Sequence, residues 1–122
     1  MRVVADTEGL VEIIKGRKRL PFDVQLVEGV HYERLWSLVS LDRFHLAKDC
    51  WLSGLESLKA IDGVSFPSGC RLYNLSKVES LAGVNLAAGC ILANLSGVRS
   101  IEGLGLKAGC IIGGLKKVTL SV

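Results

Sequence analysis

Four cysteines, Cys50, Cys70, Cys90 and Cys110, recur at intervals of 20 residues, and this spacing constrains the fold more tightly than any other feature of the chain. Written in rows of 20, the sequence aligns without a gap: HYERLWSLVSLDRFHLAKDC from His31, WLSGLESLKAIDGVSFPSGC from Trp51, RLYNLSKVESLAGVNLAAGC from Arg71 and ILANLSGVRSIEGLGLKAGC from Ile91, followed by IIGGLKKVTLSV. Self-similarity at a fixed period is the mark of a stack of repeats, each too small to bury its own apolar face.

The apolar columns show what is stacked. Tyr32, Leu52, Leu72, Leu92 and Ile112 form one, and Leu35, Leu55, Leu75, Leu95 and Leu115 the next. Leu38, Leu58, Val78, Val98 and Val118 follow, and then Leu41, Ile61, Leu81 and Ile101. Two more apolar positions sit two residues apart in each row, as Val84 and Leu86 do. Val24, Leu26, Gly29 and Val30 continue the same columns ahead of the first full row.

Within a row most apolar residues are three apart, which does not sustain the i, i+3, i+4, i+7 stripe of an amphipathic helix. A spacing of two marks a short strand, and a spacing of three turns a corner with two residues outside. Glycine columns (Gly63, Gly83, Gly103 and Gly69, Gly89, Gly109) supply the positive φ that a tight bend requires. Equivalent residues then pile up about 4.8 Å apart, as ladders of Leu, Val and Ile. The expected fold is all-β: a parallel β-solenoid of nearly five 20-residue coils over residues 24–122, with residues 1–23 as a short N-terminal cap. In that cap Arg2 to Ala5 reads as a strand, and Glu8 to Lys18 as a short helix divided by Gly9 or as two strands about Gly16.

Composition agrees. The chain is 49% hydrophobic but only 6% aromatic, which suits a narrow interior of aliphatic side chains. No apolar run approaches the roughly 18 residues of a membrane span. Nothing at the N-terminus resembles a secretion signal. The expectation is a cytoplasmic protein without membrane association.

The segment Leu81, Val84, Leu86, Leu92, Leu95 resembles a leucine-rich repeat, except that the asparagine position of that family holds Gly69, Gly89 and Gly109 followed by cysteine. The segment Val84, Leu86, Gly89, Cys90, Leu92 is similar to a coil of a bactofilin-like or phage-type β-helix. The second resemblance is preferred, because no part of the row favours a helix or an asparagine ladder. It implies a non-catalytic assembly or interaction role, as a virion component or an inhibitor of a host protein.

Side chains that could carry chemistry are few. The cysteines lack the close CxxC pairing of a metal site and read as an inward ladder of small hydrophobes. His31 and His45 fall in different columns. A histidine-dependent solenoid acyltransferase would also need a six-residue period, which is absent. Asp42, Asp62 and Glu102 share a column that Ala82 interrupts, without the glycine-rich pattern of calcium-binding coils. No enzymatic function, cofactor or metal is expected. The net charge of +3 is modest for a nucleic-acid binder. The alternative of a nucleic-acid-associated module rests on Lys15, Arg17, Lys18 and Arg19, with Lys116 and Lys117.

One outward column is not polar. Strand alternation places His31, Trp51, Arg71, Ile91 and Ile111 on one face, with Tyr73 beside them. Trp, Tyr and Arg are favoured interface anchors, and a contiguous apolar stripe marks an interface unless the cap or the C-terminal tail folds over it. The expected partner is a protein, or a second copy, held by this stripe and by the last coil, where Thr119, Leu120, Ser121 and Val122 offer no capping charge.

Overall fold

Each turn of the chain is assembled from the same pieces. The carbonyls of Leu35, Leu55, Leu75 and Leu95 accept from the N–H three residues on, and so do those of Leu41, Ile61, Leu81 and Ile101. A third corner closes in the same way from Val27 to Val30 and from Pro67 to Cys70. Between the corners run strands of two or four residues. The computed structural model describes residues 2–115. Within them β1 (Arg2–Ala5) leads into the helix α1 (Thr7–Ile14), and the strands β2 (Asp23–Leu26), β3 (His31–Tyr32), β4 (Phe44–His45), β5 (Trp51–Leu52), β6 (Ser65–Phe66), β7 (Arg71–Leu72), β8 (Asn85–Leu86), β9 (Ile91–Leu92), β10 (Gly105–Leu106) and β11 (Ile111–Ile112) follow.

Every strand pairs in parallel with the equivalent strand one turn away. β3, β5, β7, β9 and β11 form a five-stranded sheet; β6, β8 and β10 form a second sheet, and β1, β2 and β4 a third. The register matches the 20-residue columns, Trp51 against Arg71 and Phe66 against Leu86. The protein is a parallel β-solenoid of about six turns, against the nearly five that the repeat alone counts.

The additional turn comes from residues that break the sequence register. β1 pairs with β2 through residues 21 apart, Arg2 with Asp23 and Ala5 with Leu26. The N–H of Val39 likewise reaches the carbonyl of Lys18 at 2.9 Å. The first segment is therefore a divergent coil with a helix inserted. Gly9 does not divide that helix. It lies in the first turn, where its N–H is held by the Asp6 carboxylate at 2.8 Å, and the four-residue spacing of Leu10 and Ile14 buries both.

The second and third sheets lie on one side of the solenoid but do not join between β4 and β6. The residue after β8, Ala87, donates its N–H to the Phe66 carbonyl, and Lys107 does the same to Leu86. Their equivalent after β6 is Pro67, which has no N–H to give.

The core is the stack of columns read from the sequence. Leu52, Leu72 and Leu92 are fully buried, as are Leu35, Leu55, Leu75 and Leu95. Cys50, Cys70 and Cys90 are buried and free. Each cysteine thiol donates to a carbonyl 23 residues back: Cys50 to Val27, Cys70 to Ala47, Cys90 to Pro67 and Cys110 to Ala87, at 3.1–3.3 Å. A small apolar side chain with a weak donor suits this position. Burial pushes the Cys70 thiol up to about 12, and the thiols of Cys50 and Cys90 are raised by the same cause.

The asparagine ladder judged absent from the row does exist, in a different column. The Asn94 side-chain oxygen accepts from the Asn74 N–H at 3.0 Å, and the Asn74 oxygen from the Gly54 N–H at 3.2 Å. Arg34, Gly54, Asn74, Asn94 and Gly114 all hold positive φ here, from 62° to 77°. This left-handed corner escaped the sequence reading because only two of its five residues are glycine.

Candidate functional site

The five-stranded sheet brings the expected stripe together. His31 pairs with Trp51, Trp51 with Arg71, Arg71 with Ile91 and Ile91 with Ile111, each one rung above the last. Alternation turns Tyr32, Leu52, Leu72, Leu92 and Ile112 inward and leaves this column outside. Tyr73, two residues beyond Arg71, lies on the same face and meets Trp51 diagonally.

The rings are used in a particular way. The His31 imidazole and the Trp51 indole stack at 4.0 Å between centroids with planes 13° apart. Tyr73 tilts against the indole at 5.7 Å and 56°. His31 is further fixed by Ser53, whose hydroxyl lies 3.0 Å from Nε2. Ring faces are thus engaged with neighbouring rungs, and the column presents mainly ring edges and aliphatic surface. Trp51 remains 38% exposed and Ile111 56%; Arg71 is exposed, and His31, Tyr73 and Ile91 are half-buried. The cap does not fold over this column: α1 reaches the lower edge of β3, where the Thr7 hydroxyl donates to the His31 carbonyl.

A second exposed tryptophan, Trp36, escaped the sequence reading. It is 58% exposed, and its indole lies against Gly54 of the next turn, where a Cβ would come within 3.2 Å of its nitrogen. Its row position otherwise holds Glu56, Ser76 and Ser96, so no column marks it.

The basic cluster is spread over the cap. Lys15 lies 3.4 Å from Glu12 and Arg19 3.6 Å from Asp42. The Arg17 guanidinium donates to the Ile13 carbonyl, and the main-chain carbonyls of Arg17 and Lys18 tie the cap to Ser37 and Val39. Lys116, Lys117 and the final residues Thr119 to Val122 lie outside the described residues.

The remaining candidates do not converge. His31 belongs to β3 and His45 to β4, in different sheets. The His45 Nε2 lies 3.3 Å from Asp23 Oδ1, yet it is buried without an aligned hydrogen bond. Among the described residues no three His, Cys, Asp or Glu side chains gather as a metal site, and no helix is long and apolar enough to cross a membrane. No protein-family model matches the chain, and searches of curated proteins and of solved structures find nothing similar to it.

Proposed function

We propose that this protein is a non-enzymatic interaction module whose five-stranded face docks a protein partner. The observation that supports the reading is the outward column His31, Trp51, Arg71, Ile91 and Ile111 with Tyr73: five rungs of aromatic and aliphatic surface with one central cation, on a rigid parallel sheet. Fixed aromatic side chains lose little further freedom on binding, which favours such positions as anchors. The exposed Ile101 and Leu106 of the last described coil offer a second apolar surface, suited to self-association. The likeness of the coil to phage-type β-helices is compatible with a virion component or an inhibitor of a host protein.

The test is capture from the native host with the wild type beside Trp51→Lys, with thermal melting of both. A partner retained by the wild type and lost by the variant, with melting unchanged, supports the face. Equal capture by both defeats it, and an unfolded variant would show that the stripe serves the stack itself.

A further inference from the structure

Two long cations occupy backbone positions that suit other residues. Among the described residues, four that are neither glycine nor asparagine hold positive φ: Lys15 at 41°, Arg34 at 62°, Arg43 at 69° and Asp49 at 59°. Such a residue costs free energy, and it persists where its side chain has a task. The Arg43 guanidinium bonds the Pro21 carbonyl at 3.0 Å, and the Asp49 carboxylate lies against Gly69. Arg34 stands at the corner where other turns place Gly54, Asn74, Asn94 and Gly114. It is exposed and pairs with no carboxylate among the described residues. Lys15 meets only Glu12 at 3.4 Å, and both side chains are largely in solvent, where an ion pair holds little.

The two cations line one cleft of about 280 Å³, with Val11, Ile14, Trp36 and Ser37 among its walls and no carboxylate. Its two sides are tied together. The Ser37 hydroxyl donates to the Arg17 carbonyl at 2.7 Å, and the Val39 N–H to the Lys18 carbonyl at 2.9 Å. The carbonyls that end α1 are already satisfied: Val11 accepts from the Lys15 N–H, Ile14 from the Arg17 N–H and Ile13 from the Arg17 guanidinium. The helix end therefore does little to offset the cations. Trp36 is 58% exposed and is itself a departure, since its column otherwise holds Glu56, Ser76 and Ser96. Three departures from the repeat thus meet at one place, an aromatic ring and two cations.

We infer that this cleft binds a nucleotide, free or as one unit of a single strand, with the base stacked on the Trp36 indole and the phosphate between Lys15 and Arg34. An indole offers its face to any base, and a guanidinium holds two phosphate oxygens at once. The volume suits one ring system. A bare anion would leave Trp36, Val11 and Ile14 unused, and an apolar ligand would leave both cations unused. The site is separate from the five-stranded face and does not depend on the role proposed for it.

Fluorescence anisotropy of a labelled single-stranded adenylate decamer with the 122-residue chain tests this, with thermal melting of each variant. The wild type should bind, and several-fold more weakly as salt rises from about 50 to about 200 mM. Trp36→Ala should weaken binding about tenfold, the loss of one stacked base. Arg34→Gly should weaken it too while melting holds or rises, because glycine suits this corner; an arginine kept only for the fold would leave binding intact or take melting down with it. Adenosine monophosphate should compete and inorganic phosphate should not. Competition as strong as the decamer's assigns the site to free nucleotides, and a much tighter decamer assigns it to a strand. No binding at the lower salt, binding unchanged in both variants, inorganic phosphate competing equally, or a duplex bound as tightly as the single strand would overturn the inference. If Trp36→Ala unfolds, Arg34→Gly decides.

Discussion

The first coil and the last described coil differ in how their interiors are covered. At the N-terminal end a divergent turn inserts α1, whose Thr7 supplies the donor that the lowest strand of the large sheet needs. Tyr32 completes the seal: its hydroxyl donates to the Ala5 carbonyl at 2.6 Å and accepts from the Val27 N–H at 2.7 Å. Burial raises the pKa of this phenol, consistent with a neutral group that holds both partners. In the last described coil the repeat runs on unaltered through β10 and β11, and among the described residues Ile101 and Leu106 are exposed in columns that are buried in the turns before. The difference teaches that a coil carries no cap of its own: burial belongs to the pair of coils, and the first coil meets the need with a rebuilt sequence.

Truncation should sharpen this contrast most. Leu86→Ala in the sealed interior should cost about 2–5 kcal/mol, whereas Leu106→Ala in the same column should cost under about 1 kcal/mol; chemical denaturation of the two variants measures both. Equal losses would mean that the last coil is as well packed as the others. Tyr32→Phe should cost about 1–3 kcal/mol by stranding the Val27 N–H and the Ala5 carbonyl. Hydrogen exchange should show faster amides around residues 5 and 27 and no change at β9 and β11.

Alkaline titration probes the interior between the ends. The folded Cys70 thiol stands above its unfolded value, near 12 against 9. Its contribution is therefore complete below pH about 9 and lost as the pH climbs towards about 12. Cys70→Ala should flatten that part of the stability profile, and an unchanged profile would exclude the thiol as its cause. The smallest effect belongs to the first full coil, where Asp49 holds a φ of 59° in a column otherwise made of glycine. Asp49→Gly should raise stability by a few tenths to about 1 kcal/mol. A drop in midpoint would show that the Asp49 carboxylate, which leans over Gly69, matters more than backbone strain.

The sequence made the stack legible because each buried column repeats its own residue class, and Cys50 to Cys110 fixed the pitch. It also placed Trp51, Tyr73 and Ile91 together, since strand alternation leaves one choice of face once the register is known. The first turn was hidden because residues that contact only one neighbouring coil need not obey the column. The third left-handed corner was hidden because Asn74 and Asn94 occupy it by bonding to the backbone, a solution that composition does not announce. The break at Pro67 was visible as a residue but not as a consequence, because the missing N–H matters only once the rung below it is known.

The thiol that reaches back 23 residues to a carbonyl of the preceding turn gives the molecule a property independent of any partner. Each turn is fastened to its predecessor by the same short span of main chain, so the cross-section is indifferent to how many turns there are. In-frame gain or loss of one turn's worth of codons would lengthen or shorten the rod by one step while leaving both ends, and the chemistry at each, as they were. Length is thus a stepwise property of this architecture, one turn at a time.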